Sequence, residues 1–240
     1  MKQTATAIIL NYTKYSDNKL IVNAYTKQFG RAAFSFTIPQ NRKASPLPYC
    51  QPLFITEIEF NAPPEADIKH ASKISPAYTF TSIPFNTNKT ATAMFITEIL
   101  AKVLTFSEKN EELFNYMADS LKLFDQNEVT GKNFHLKFLL QITKYLGFYP
   151  ANRYSELRPC FDLANAKFTT SVSTAKQAIH PPYREILSRI LDYDYIPCDF
   201  IPLNGNDRSY LLEKIIEYYR YRFDTLSSIK SLGVLKTVFH

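Results

Sequence analysis

Between Met1 and Thr56 the chain carries seven Lys or Arg residues, Lys2, Lys14, Lys19, Lys27, Arg31, Arg42 and Lys43, against one acid, Asp17. The rest of the chain holds 21 basic and 21 acidic side chains, so the whole net charge of +6 lies in its first quarter. Long cationic side chains can follow a phosphate backbone, and Tyr12, Tyr15 and Phe36 among them could offer ring faces to bases, a contact worth about 1–3 kcal/mol per base. This combination fits a nucleic acid. The candidate contacts are Lys14, Lys19, Lys27, Arg31, Arg42 and Lys43 with Tyr12 and Tyr15; Phe36 reads as core. A single lysine is more often plain solvated surface, and it is the concentration opposite one acid that singles out the group.

Other chemistry is harder to assemble. There is no GxGxxG, Walker loop, HExxH or GxSxG, and five glycines in 240 residues leave little for phosphate-binding loops. His70, His135, His180 and His240 are scattered, and His135 beside a helical core stripe reads as structural. Asp192, Asp194 and Asp199 could gather a magnesium ion, yet their spacing across Pro197 is no known ligand pattern. Cys50, Cys160 and Cys198 lie too far apart for a CxxC pair or a disulfide framework, which suggests reduced thiols. No stretch reaches the roughly 18 apolar residues of a membrane span and no signal peptide is legible, so a cytoplasmic, nucleoid-associated protein without cofactor is expected.

The elements that position the basic residues follow from periodicity. Alternation predicts strands at Thr6 to Tyr12, Lys19 to Thr26, Arg31 to Thr37, Leu53 to Phe60 and Lys69 to Ser75. Ala7, Ile9 and Asn11 fall on one face of the first, with Ile8, Leu10 and Tyr12 on the other. A turn at Lys27 to Gly30 joins the second and third strands, with Gly30 available for positive φ. Ile38 to Pro52 reads as a surface loop carrying Arg42 and Lys43. Five strands in about 75 residues are the count and size of an OB barrel.

From Thr87 the period becomes helical. Helices are predicted at Thr90 to Thr105, Glu111 to Phe124 and Asn133 to Leu146, the last stopped by Gly147. Tyr149 to Gln177 reads as an irregular or short-strand insertion. Further helices run from Pro181 and Pro182 to about Tyr193, and from a cap at Asp207 to Phe223. The end, Thr225 to His240, carries Lys230 and Lys236 and no side-chain acid, and Arg220 and Arg222 read as the wet face of the preceding helix.

These segments together resemble the RecO family of bacterial recombination mediators. The opening TAIILNYTKYSDNKLIVNAYTKQFGRAAF follows that family's first three strands, including Tyr25-Thr26-x-x-x-Gly30-Arg31. The fourth strand follows in Gln51 to Glu59. Phe134 to Pro150 resembles its signature helix ending in Leu-Gly-x-x-Pro, and Lys230 to Leu232 its tail motif. The resemblance implies an α+β, multidomain protein: an OB-fold DNA-binding domain over 1–80, a helical domain over 81–148 and 181–240, and a degenerate zinc-finger-like insertion over 149–180. Many relatives place two CxxC pairs there. Here Cys160 stands at the first ligand position but Leu163 at the second, so no zinc is expected, with Phe161, Leu163 and Phe168 as an apolar replacement.

The function so implied is mediation of DNA repair and homologous recombination, without catalysis. It comprises binding of single- and double-stranded DNA, strand annealing, and RecA loading in company with RecR. The resemblance extends the DNA surface to Arg220, Arg222, Lys230 and Lys236. It also implies capture of the acidic, apolar tail of single-stranded DNA-binding protein at Lys132, Lys137 and Phe138. A metal-dependent nucleic-acid enzyme and a protein-only adaptor are the alternatives.

Overall fold

Ala5, Ala7 and Ile9 turn into one apolar core with Leu20, Val22, Ala24, Ala32, Phe34, Phe36, Ile58, Phe60 and Ala71, mostly spaced by two along their strands as a pleated chain requires. The computed structural model describes residues 2–39, 45–61, 66–105, 108–126, 131–171, 177–192 and 201–239. Arg42, Lys43, Asp194, Cys198, Asp199 and His240, named above, lie outside the described residues. The chain divides into two compact units, Met1–Asp125 and Gln126–His240.

The first unit holds strands β1 (Lys2–Ser16), β2 (Lys19–Thr26), β3 (Gly30–Thr37), β4 (Ile55–Asn61) and β5 (Ile68–Pro76), closed in the order β1-β2-β3-β5-β4. This is the OB-type barrel that the alternation predicts. β1 outruns its predicted span because it serves two partners, pairing with β4 over Lys2–Ile8 and with β2 from Ala7 to Ser16. A register shift between Ile9 and Asn11 sets Asn11 opposite Asn23. Strict alternation had placed Asn11 with Ala7 and Ile9; the irregularity moves it to the outer side, as an inserted residue does. Ile8 and Leu10 are buried as well, because helix α1 (Thr87–Val103) lies against β1 and lines a groove with Leu10 through Met94, Thr97 and Ala101.

The hairpin between β2 and β3 explains the Tyr-Thr-x-x-x-Gly-Arg string. Thr26 Oγ1 accepts from Phe29 N at 3.0 Å and donates to Gly30 O at 2.9 Å. Tyr25 OH donates to Glu108 O at 3.0 Å and accepts from Asn110 N at 3.1 Å. The segment leading into α2 (Glu111–Gln126) is thereby stapled to the hairpin. It passes so close that a Cβ on Gly30, whose φ is +67°, would stand 2.5 Å from Glu108 C and 2.7 Å from its carbonyl oxygen.

The second unit begins with α3 (Phe134–Tyr145), followed by Gly147 at φ +83°, the predicted stop. Three short strands, β6 (Cys160–Asp162), β7 (Lys167–Thr169) and β8 (Ala178–Ile179), form a sheet in the order β7-β6-β8. Phe161, Leu163 and Phe168 are buried, with the two rings edge-on at 5.1 Å. Helices α4 (Tyr183–Asp192), α5 (Gly205–Arg220) and α6 (Ser231–Phe239) complete it. The cap of α5 is Asn204, whose side chain accepts from Asp207 N at 2.9 Å, and not Asp207. Asp207 sits in the first turn and accepts from Tyr183 OH at 3.0 Å.

Gly30→Ala is expected to destabilise the protein by more than about 2 kcal/mol, because a strained φ alone costs about 1–3 kcal/mol and backbone cannot yield cheaply; urea denaturation measures it. His135 in α3 is buried, and that burial, followed by the charge of Arg208, lowers its pKa from 6.5 to about 3. The folded protein thus keeps it neutral while the unfolded chain protonates it. Stability should hold above pH 6.5 and decline as pH falls toward 3, with a slope of up to about 1.4 kcal/mol per pH unit from this residue. Denaturant titrations of His135→Gln should show a flatter acid side than those of the parent chain.

Candidate nucleic-acid interface

With Leu20, Val22, Ala24, Ala32, Phe34 and Phe36 turned inward, the alternate residues of β2 and β3 form the outer wall. Across it runs one row of paired residues, Asn11, Asn23, Ala33 and Ile68, and a second, Thr13, Ile21, Ser35 and His70. Small and polar side chains dominate both rows. Asn23 Nδ2 donates to Asn11 Oδ1 at 2.8 Å, and Ser35 Oγ lies 3.4 Å from His70 Nδ1. A strand of nucleic acid could lie along such a wall, where Ile21 and Ile68 are the larger apolar side chains and Ile68 is exposed. Phe36 is core, as read from the sequence, and offers no ring face outward.

Lys19, opposite Thr37, stands at one end of this wall and Lys27 and Arg31 at the other, whereas Lys14 pairs with the inward-turned Leu20 and so lies on the other face of the β1–β2 ribbon. Past Ile8, β1 has left β4 and pairs with β2 alone, and every residue from Asn11 to Lys19 is exposed. Tyr15 is 70% exposed with Lys19 Nζ over its ring at 5.8 Å, and Tyr12 is 42% exposed. Lys14 Nζ pairs with Asp17 at 3.2 Å. At the opposite end Lys27 pairs with Glu111 at 3.1 Å. Arg31 is half-buried there, and burial lowers its pKa. Exposed pairs of this kind contribute about 0–1 kcal/mol, so a phosphate could replace either acid at little cost. Lys2 is turned to β4, where it and Lys73 hold the Glu59 carboxyl below its ordinary range.

In the second unit the predicted residues have several different settings. Arg220 is exposed, with Nε donating to Leu226 O at 2.9 Å, and Lys230 is exposed. Lys236 pairs with Glu213. Arg222 is engaged internally, its guanidinium 4.6 Å from the Tyr218 ring centre and 5.1 Å from that of Phe148, with Nη2 donating to Ala164 O at 3.2 Å. Lys132 is exposed, whereas Lys137 is 1% exposed and Phe138 is fully buried. Lys137 Nζ donates to Ile190 O at 2.9 Å, closing the end of α4, and Phe138 stacks on Phe134 at 5.3 Å. The surface for a peptide read from Lys132, Lys137 and Phe138 therefore presents only Lys132. Asn133, beside Lys132, donates to Ile201 O at 2.9 Å and accepts from Arg208 Nε at 3.1 Å within the unit.

The zinc expected in many relatives does not fit the residues present. Cys160 is buried in β6 with Sγ on Thr169 O at 3.5 Å, and burial followed by the charge of Asp162 raises its pKa, away from the thiolate that a metal requires. Leu163 is buried at the second ligand position, and no three His, Cys, Asp or Glu side chains converge among the described residues. Asp192, considered as a magnesium ligand, accepts from Asn152 Nδ2. No helix among the described residues is long and apolar enough to cross a membrane.

Sequence reasoning had passed over Asn11, Asn23, Ser35 and His70, whose meaning lies in their sharing one wall. Comparison with known proteins bears on what that wall belongs to. The family profile described as "Recombination protein O C terminal" matches residues 84–228. A DNA repair protein RecO from Bacteroides fragilis is 34% identical over 244 residues, covering 100% of both chains. Those from Phocaeicola vulgatus and Flavobacterium psychrophilum are 28% and 32% identical, covering 100% and 97% of both chains. With a profile spanning more than half of the chain and relatives aligned from end to end over a barrel followed by helices, the chain belongs to the RecO family.

Proposed function

We propose that the chain acts in DNA repair and homologous recombination by binding single- and double-stranded DNA along the outer wall of its barrel. In this reading it anneals complementary strands coated with single-stranded DNA-binding protein and, with RecR, assists RecA onto DNA. The work is binding, neutralisation and displacement, without a covalent step. One observation supports it above the others: a wall of mostly small or polar side chains lies between Lys19 at one end and Lys27 and Arg31 at the other. The eight residues of β2 separate those ends, about 25 Å at 3.3 Å per residue. That length suits the short stretch, about 4–16 nucleotides, that one OB fold engages.

Binding of a fluorescent oligo(dT) should weaken with salt. Three neutralised phosphates imply an about 20-fold loss of affinity between about 50 and 200 mM salt. Lys19→Glu with Lys27→Glu should lower affinity at least about tenfold and reduce the salt slope, since two phosphate contacts vanish. Binding that ignores both salt and these changes would remove the wall as the DNA site. No binding at moderate salt would favour an adaptor that meets proteins alone. DNA cleaved in the presence of magnesium would instead point to an enzyme.

Arg220 and Lys230 extend the proposed DNA surface in the second unit, and Lys132 is its proposed contact for the tail of single-stranded DNA-binding protein. Lys132→Glu should weaken a fluorescent tail peptide while leaving stability within about 0.5 kcal/mol. Lys137→Glu should cost about 3–5 kcal/mol of stability, because a carboxylate would replace the ammonium beside the buried carbonyls of α4.

A further inference from the structure

The parallel pairing of β3 with β5 ends at Ser35 and His70. Beyond it the strands part, and a 3-10 turn, Leu47–Tyr49, lies beside β5. The gap is a cleft of about 380 Å³, within the range of about 300–1,000 Å³ found for small-ligand sites. Thr37, Ser45, Tyr49 and Ser72 line it together with His70 and Lys73; Ser72 Oγ donates to Glu59 O at 3.3 Å and Ser45 Oγ accepts from Leu47 N at 3.3 Å. No carboxylate is among the lining residues that are described; Glu59 pairs with Lys73 Nζ at 3.6 Å. The Tyr49 side of the cleft is open to solvent, with that residue 37% exposed.

Thr37, an imidazole, an ammonium and a partly exposed tyrosine ring suit a ligand that carries a phosphate, a polar sugar and a flat base. The cleft is also continuous with the outer wall. His70 belongs to both, touching Ser35 on the wall and lining the cleft, and Thr37 continues β3 from one into the other. We propose that the cleft where β3 and β5 part seats one unstacked nucleotide of the strand lying on the wall, with Tyr49 against the base and His70 and Lys73 toward its phosphate. This rests on the DNA-binding reading above. It assigns the position at which a bound strand would be held by a base as well as by its charge.

The test uses the full chain and an oligo(dT) carrying 4-thiothymidine for photo-crosslinking. Crosslinks should map to peptides containing Tyr49 or residues 70–74. Tyr49→Ala should lower affinity at least about fivefold, from the loss of one stacked base, with the salt slope unchanged because no charge is removed. Tyr49→Phe should restore it, and thermal unfolding of each variant checks that the barrel is intact. Should the parent chain bind the oligonucleotide while Tyr49→Ala matches it and crosslinks fall elsewhere, the cleft is refuted and the wall stands. Should the parent chain bind no oligonucleotide, the wall and the cleft fall together.

Discussion

Asp125 is buried at the end of α2 and receives five hydrogen bonds. Backbone N–H groups of Thr81, Ser82 and Ile83 donate at 2.9, 2.8 and 2.8 Å, with the hydroxyls of Thr81 and Tyr78 at 3.1 and 3.4 Å. Burial alone would push this carboxyl up; the donors at Thr81, Ile83 and Ser82 outweigh it, and its pKa lies below the ordinary value. Lys89, in the first turn of α1, is buried beside it, its Nζ donating to Phe124 O at 2.7 Å and Asp125 O at 3.1 Å. One node thus joins the chain leaving the barrel, the start of α1 and the end of α2. Losing either partner would strand a buried charge, a cost of about 3–5 kcal/mol.

That node decides which wall of the barrel remains available. It fixes where α1 begins, and α1 then covers β1 around Ile8 and Leu10. Tyr25 and Gly30 fix the segment before α2, which covers the Arg31 end of the hairpin. The outer side of β2, β3 and β5 is left between these attachments. The string shared with the family over Tyr25 to Arg31 therefore has an architectural explanation at Tyr25, Thr26 and Gly30. Lys137 repeats the device in the second unit, as an ammonium closing the carbonyl end of α4.

The strands were legible because the inward residues of β2 and β3 alternate without interruption, and the helices because their stripes are long. What escaped depended on partners distant in sequence. Lys137 reads as a surface cation until α4 supplies carbonyls 53 and 54 residues away. Asn11 reads as inward until the register shift in β1 reverses it. Asp207 has the side chain of a cap, yet Asn204 begins α5 three residues earlier and Asp207 instead receives a tyrosine hydroxyl. Among the residues of α6 whose burial is described, Leu235 is the buried apolar one, too short a stripe to announce a helix beside Gly233. The concentration of cations was plain in the sequence, but the separation of Lys19 from Lys27 and Arg31 to two ends of one wall followed from the hairpin.

The three-stranded sheet of the second unit is held by side chains and not by a cluster of metal ligands among the described residues. In isolation, three strands this short bury too little to be stable, and structural zinc supplies zinc-finger peptides with about 10–16 kcal/mol. Here the sheet is anchored to helices of its own unit. Asp162 organises the turn, accepting from Ala164 N at 2.9 Å and Asn165 N at 3.1 Å. Arg222 holds the Ala164 carbonyl from the end of α5, and Phe161 meets the Tyr218 ring at 6.5 Å. Asn152 donates to Ser188 O on α4 at 3.1 Å, and Arg184 donates to Arg158 O from the same helix. Each bond is modest, but together they fix the loop at several points, so its ordering entropy is offset by contacts with helices already in place. Arg222, which the resemblance placed on the DNA surface, is thus engaged in holding the turn of this small sheet.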